Sequence, residues 1–280
     1  MTKHITAQPS AKADHASPVT PNPWSRLKHY TDARIGLGRA GHSLPTEAHL
    51  TFQLDHARAR DAVHQPLDIE ALSTLINERQ HRAIPLHSAA RDRAEYLKRP
   101  DLGRRLSDEA IQHLDQYRDT HREDCDIALI IADGLSARAI HDNIAPMLDT
   151  LLPRISEQGW KLGPITVVEQ GRVAIGDPIG EKLKARMSII MIGERPGLSS
   201  PDSLGIYFTW APHSGRRDSE RNCISNIRPA GQSYAAATDL LIYLMLEAER
   251  RQLSGVQLKD DSIVDSQLGD GRQGNLLLPH

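Results

Sequence analysis

The sequence predicts an α/β protein: a Rossmann-like, mostly parallel sheet flanked by helices, with a helical extension before it. Three observations lead there. Short apolar runs of strand length recur after His121, namely DIALIIA (Asp126–Ala132), ITVV (Ile165–Val168), MSIIMI (Met187–Ile192) and LGIYFTW (Leu204–Trp210). Segments with helical spacing separate the first of these runs. Gly- and Pro-bearing polar loops stand where the runs end. Strands alternating with helices build βαβ units around a parallel sheet, joined by right-handed crossovers.

Element by element, residues 1–23 are rich in Ala, Pro, Ser, Thr and His without apolar periodicity. Such a segment buries too little to offset its ordering entropy and reads as a flexible arm. Residues 24–120 read as the helical extension. Pro45 and Glu47 suit a first helical turn, Leu50, Leu54 and Ala57 share one face, and Pro66 stops the run. Ser107, Asp108 and Glu109 open a second helix, with Ile111, Leu114 and Tyr117 on one stripe. Residues 121–255 read as the sheet domain. After its first strand, Ile140, Ile144, Leu148, Leu151 and Ile155 recur at three and four, with Pro146 as an expected kink. Asp177-Pro178 reads as N-cap and first turn of a short helix. Ser233 starts a long helix that Gly255 is placed to terminate. Residues 256–280, polar apart from a Leu triplet, read as a mobile tail.

Composition narrows the function classes. A net charge of −2 and only 4% aromatic residues argue against nucleic acid as a partner. No apolar run approaches the roughly 20 residues that span a bilayer. The first residues lack the apolar core of a secretory signal. Two cysteines, Cys125 and Cys223, do not make a disulfide framework, so a reducing cytoplasm is the expected location.

Ligands of open α/β sheets bind beyond the carboxyl ends of the strands. There the sequence places Asp133-Gly134-Leu135-Ser136, Glu169–Val173, Gly193–Gly197 and a long polar stretch, His213–Gly231, read as a loop carrying Cys223, Asn226 and Arg228. Glu194 can accept from a ligand's amides or hydroxyls, or pair with Arg195. Asp133 reads as a helix cap. Cys223 has no partner cysteine. Gly36–Gly41 matches GxGxxG, but the residues before it are polar and Pro45 follows soon after, so it reads as close backbone packing rather than a dinucleotide site. The fourteen histidines include no HExxH, and His49, His56 and His64 read as a solvated or interface face. No GxSxG or Walker A loop is present. No catalytic set and no metal site emerge from this chain alone.

Five blocks carry a family resemblance. Asp32–Asp68, Asp133–Ile140, Val167–Glu181, Ile192–Phe208 and Arg221–Gly231 closely resemble, in order, the ethanolamine ammonia-lyase small-subunit family. The resemblance implies an adenosylcobalamin-dependent lyase that converts ethanolamine to acetaldehyde and ammonia. It implies a large catalytic subunit as partner, in a hetero-oligomer with equal numbers of both chains, and a cofactor held between them. Family cobalamin contacts correspond to Val173, Glu194 and Cys223. The cofactor would carry the chemistry while protein supplies binding and orientation. The sequence holds no DxHxxG motif, so the cofactor's own dimethylbenzimidazole is expected to stay on cobalt. A protein-shelled bacterial microcompartment is the alternative setting to free cytoplasm, with residues 1–23 as a possible encapsulation tag. Competing readings are a scaffold that has lost its cofactor and a nicotinamide-dependent oxidoreductase resting on the glycine motif.

Overall fold

A computed structural model of the protein describes residues 17–259. The outer parts of the expected arm and tail, residues 1–16 and 260–280, lie outside the described residues. The chain divides into two units, Met1–Ala57 and Arg58–His280.

In the first unit, Asn22 caps a 3-10 turn, Pro23–His29, by accepting from the Trp24 amide at 2.9 Å. The glycine motif lies in a loop, with neither a strand before it nor a helix N-terminus after it. A Cβ on Gly36 would stand 2.9 Å from Ser25 Cα, and one on Gly38 2.8 Å from the Thr20 carbonyl oxygen. These glycines therefore let backbone lie directly on backbone. Helix α1, Thr46–His64, begins in this unit. Leu50 and Leu54, on its expected apolar face, are exposed in this chain at 57% and 51%. His49, His56 and His64 are exposed as well.

The second unit contains the sheet. It takes in α2 (Ile69–Glu78), β1 (Ala83–His87), α3 (Arg93–Lys98) and α4 (Asp108–Thr120), residues the sequence assigns to a helical extension. Strand β1 escapes the sequence reading because only Ile84 and Leu86 point inward and Pro85 stands between them. Proline removes a ladder donor and is tolerated at a sheet edge, and β1 is an edge strand. Then follow β2 (Ile127–Ala132), α5 (Ala137–Glu157), β3 (Ile165–Glu169), α6 (Gly176–Lys182), β4 (Met187–Gly193), β5 (Leu204–Trp210), β6 (Arg221–Ile227) and α7 (Tyr234–Arg251).

The six strands lie in the order β1-β3-β2-β4-β5-β6. The first four run parallel, and β5 and β6 are antiparallel additions. Strand β2 is buried at all six residues, as a strand covered on both faces must be. Apolar residues of α2, α5 and α7 pack on one face, and those of α4 and α6 on the other. Helix α5 runs unbroken through Pro146 and Pro153.

Several local expectations change. Cys223 lies on β6 rather than in a loop, since Arg221–Ile227 pairs with β5 through a register shift. Its buried residues, Arg221, Ile224 and Ile227, recur at three with polar residues between them, which hides that strand from an apolar-run search. Asp177 does not cap α6; its carboxylate faces Arg221 instead. Helix α7 is capped by Ser233 as expected but ends at Gln252 in the left-handed region, before Gly255. Within the expected mobile tail, Leu258 packs into the core at 2% exposure. No helix of the described residues is long and apolar enough to cross a membrane.

Candidate functional site

The chain passes from β2 through α5 to β3, then through α6 to β4 on the opposite side of β2. The strand order therefore switches at the carboxyl end of β2, where open α/β sheets form a crevice. A cleft of about 430 Å³ opens there, between the loops after β2, β3 and β4. Its walls include Val173, Glu194, Arg172, Tyr96 and Tyr207. Its floor is backbone. A Cβ on Gly134, at φ +54°, would meet the Gly193 carbonyl oxygen at 2.2 Å, and one on Gly193 would meet the Ser136 oxygen at 2.0 Å. Both positions exclude any side chain, which brings the β2 and β4 loops into contact.

Asp133 ties these loops together. Its carboxylate accepts from the amides of Gln170 and Gly171 at 3.0 and 3.1 Å and from Arg93 at 3.1 Å. It does not cap α5, a task performed by Ser136. Burial pushes the Asp133 carboxyl up to about 6, against the pull of Arg93 and the two amides. Arg93 also donates to the Gly134 carbonyl at 2.9 Å. Tyr96 is fully buried and its hydroxyl lies 2.7 Å from the Gly134 carbonyl and 3.0 Å from that of Gly171. Desolvation holds that phenol neutral well beyond the ordinary tyrosine range. Arg93 and Arg172 stand over the Tyr96 ring, at 4.7 and 4.3 Å from its centroid.

Glu194, at the end of β4, does not pair with Arg195. It accepts from the hydroxyls of Ser203 and Ser225 and from the Asn226 amide at 3.1 Å, so it bridges β4 to the far end of β6. Cys223 is exposed and lies opposite Tyr207 across the β5–β6 ladder. Desolvation by the surrounding surface raises its thiol, leaving a neutral S–H rather than a thiolate nucleophile. On this face α6 reaches β6 at Arg221 through Asp177, while Cys223 and Ser225 farther along that strand stay exposed.

The structure brings Val173 and Glu194 into one cleft, with Cys223 one strand beyond it through Tyr207. The sequence does not place Arg93 and Tyr96 in the rim, and it puts Arg172 in a rim loop and Tyr207 on a strand without singling either out. Arg93 and Tyr96 sit on a six-residue helix that follows the edge strand β1 and precedes every strand legible in the sequence, and nothing in their local pattern announces the rim. No group of three or more His, Cys, Asp or Glu suited to a metal is found among the described residues.

Fold and rim together define an α/β chain with a candidate cleft at the carboxyl ends of its parallel strands. A family described as ethanolamine ammonia-lyase light chain matches residues 21–259. An ethanolamine ammonia-lyase small subunit of Azotobacter vinelandii is 57% identical over 263 residues, covering 94% of this chain and 97% of the relative. Those of Pseudomonas fluorescens and Ralstonia nicotianae are 55% and 54% identical, covering 93% and 94% of this chain and 97% of each relative. The chain belongs to the ethanolamine ammonia-lyase light-chain family.

Proposed function

We propose that this chain is the small subunit of an adenosylcobalamin-dependent ethanolamine ammonia-lyase, and that it holds the cofactor against a large catalytic subunit. The observation that carries the reading is the cleft at the switch point of the sheet, lined by Val173 and Glu194, with Cys223 exposed on β6 beyond Tyr207.

The residues present fit a corrinoid. Its periphery is a ring of neutral amides, which need hydrogen-bond acceptors and neutral donors more than charge. A carboxylate has about four acceptor positions, and Glu194 uses three of them on Ser203, Ser225 and Asn226. One remains for an amide N–H. Cys223 offers a neutral thiol, and Val173 an apolar contact at the start of a 3-10 turn. The cleft admits the edge of so large a ring, not the whole of it, so a second chain must cover the rest. When bound, adenosylcobalamin supplies the radical chemistry of the deamination. This chain binds one edge, orients it through backbone fixed by Asp133 and Tyr96, and keeps water from that side.

The first unit fits the same partnership. Among its described residues only Pro45 is buried, while Trp24, Tyr30, Leu44, Leu50 and Leu54 are all more than half exposed. A segment this size with no core of its own needs a covering surface, and the large subunit is the surface we assign to it.

Co-expression with the cognate large subunit tests the function. Ethanolamine deamination is expected from the complex only when adenosylcobalamin is added. A stable complex without that activity would refute the reading, and deamination by the small chain alone would overturn the division of labour.

A further inference from the structure

The cleft contains one cation prepared for an anion that this chain does not supply. Arg172 follows β3 directly and lines the cleft beside Val173. Its guanidinium stacks on Tyr96 at 4.3 Å, and Tyr96 is itself fixed through its hydroxyl to two carbonyls. The Arg172 amide donates to the Gly103 carbonyl at 2.7 Å. A Cβ on Gly103 would come within 2.8 Å of Arg172 Cγ, so the glycine makes room for this side chain.

Two other arginines of the rim are committed, and Arg195, which also lines the cleft, is not held by a stacked ring as Arg172 is. Arg93 pairs with Asp133, and Arg228 reaches Asn226, the Ser199 carbonyl and Asp202. The guanidinium of Arg172 forms no hydrogen bond or ion pair with a described residue, and its Nε is buried without an acceptor. A buried donor left unmatched costs free energy that a ligand can recover. Stacking fixes the plane of the guanidinium and loses little of its hydrogen-bonding capacity, which suits a planar fork for a phosphate.

Cobalamin carries one strong anion, the phosphodiester of its nucleotide arm, while its corrin side chains are neutral amides. We infer that Arg172 is the residue that binds the phosphodiester of the cobalamin nucleotide arm. The inference rests on the cofactor reading above and adds to it the side chain that selects a complete corrinoid over one without the arm.

The test uses the complex with the large subunit and reads equilibrium binding from the corrinoid's visible spectrum. Two ligands are compared, adenosylcobalamin and adenosylcobinamide, which lacks nucleotide and phosphodiester. Arg172→Gln is expected to weaken adenosylcobalamin roughly tenfold or more and to leave adenosylcobinamide unchanged. Arg172→Lys, which keeps charge without the fork, should fall between wild type and Arg172→Gln. It also serves if Arg172→Gln fails to assemble. Equal weakening of both corrinoids overturns the assignment, because Arg172 would then act on the fold or on a carboxylate of the large chain. No weakening of either, or a selective loss in Arg195→Gln instead, overturns it too. A wild-type complex that binds neither corrinoid overturns the cofactor reading along with it.

Discussion

At the scale of single residues, burial raises two carboxylates of the sheet unit, Asp133 and Asp177, which are held in different ways. Asp133 is held by two amides and one arginine, yet burial still raises it to about 6. An acid whose folded value lies above its unfolded value binds its proton more tightly when folded. Its contribution to stability is therefore best below the unfolded value and declines as pH rises through about 4 to 6. Asp133→Asn is expected to remove that decline, so urea denaturation across this range should show the wild-type and variant curves diverging only as pH rises. Parallel curves would mean that the carboxylate is not the titrating group. Asp177 is instead matched to Arg221 by two arms, one of 2.7 Å, with both side chains almost wholly buried. Removing one partner of such a pair costs about 3–5 kcal/mol, whereas replacing both with apolar residues of similar volume is often neutral. Asp177→Ala should accordingly destabilise by that amount in chemical denaturation, and Asp177→Leu with Arg221→Met should recover most of the loss.

At the scale of elements, legibility followed hydrophobic contrast. Strands β2, β3, β4 and β5 were readable because they are nearly continuous apolar runs, and α5 because its apolar residues recur at three and four. Leu148 on that helix is fully buried in the core beneath α7 and the sheet. Leu148→Ala is expected to cost about 2–5 kcal/mol through lost burial and the cavity left behind, measurable by thermal or chemical unfolding. The edge strands β1 and β6 were not readable. Each is half solvated and interrupted, β1 by Pro85 and β6 by Asn222, Ser225 and Asn226, so neither shows a run. The cost fell on the site: with β6 taken as a loop, the link from Glu194 to Ser225 and Asn226 could not be foreseen. Positions just after a strand, such as Val173 and Glu194, could be named from sequence. The residues that hold them, Arg93 and Tyr96, come from a short helix whose approach to the rim is purely tertiary.

At the scale of the molecule, the two units differ in how they are stabilised. The sheet unit has cores on both faces, while the described part of the first unit buries only Pro45. Leu50→Glu with Leu54→Glu should thus reduce co-purification with the large subunit while leaving the unfolding free energy of the isolated chain within about 0.5 kcal/mol of wild type. A large drop in that free energy would instead assign those leucines to packing within the chain. The uncovered apolar side chains between Trp24 and Leu54 also bear on supply. A cell that made more of this chain than of its partner would hold a surplus of molecules with adhesive flanks. Matched synthesis of the two chains is then a condition of keeping the protein in solution, quite apart from its part in turnover.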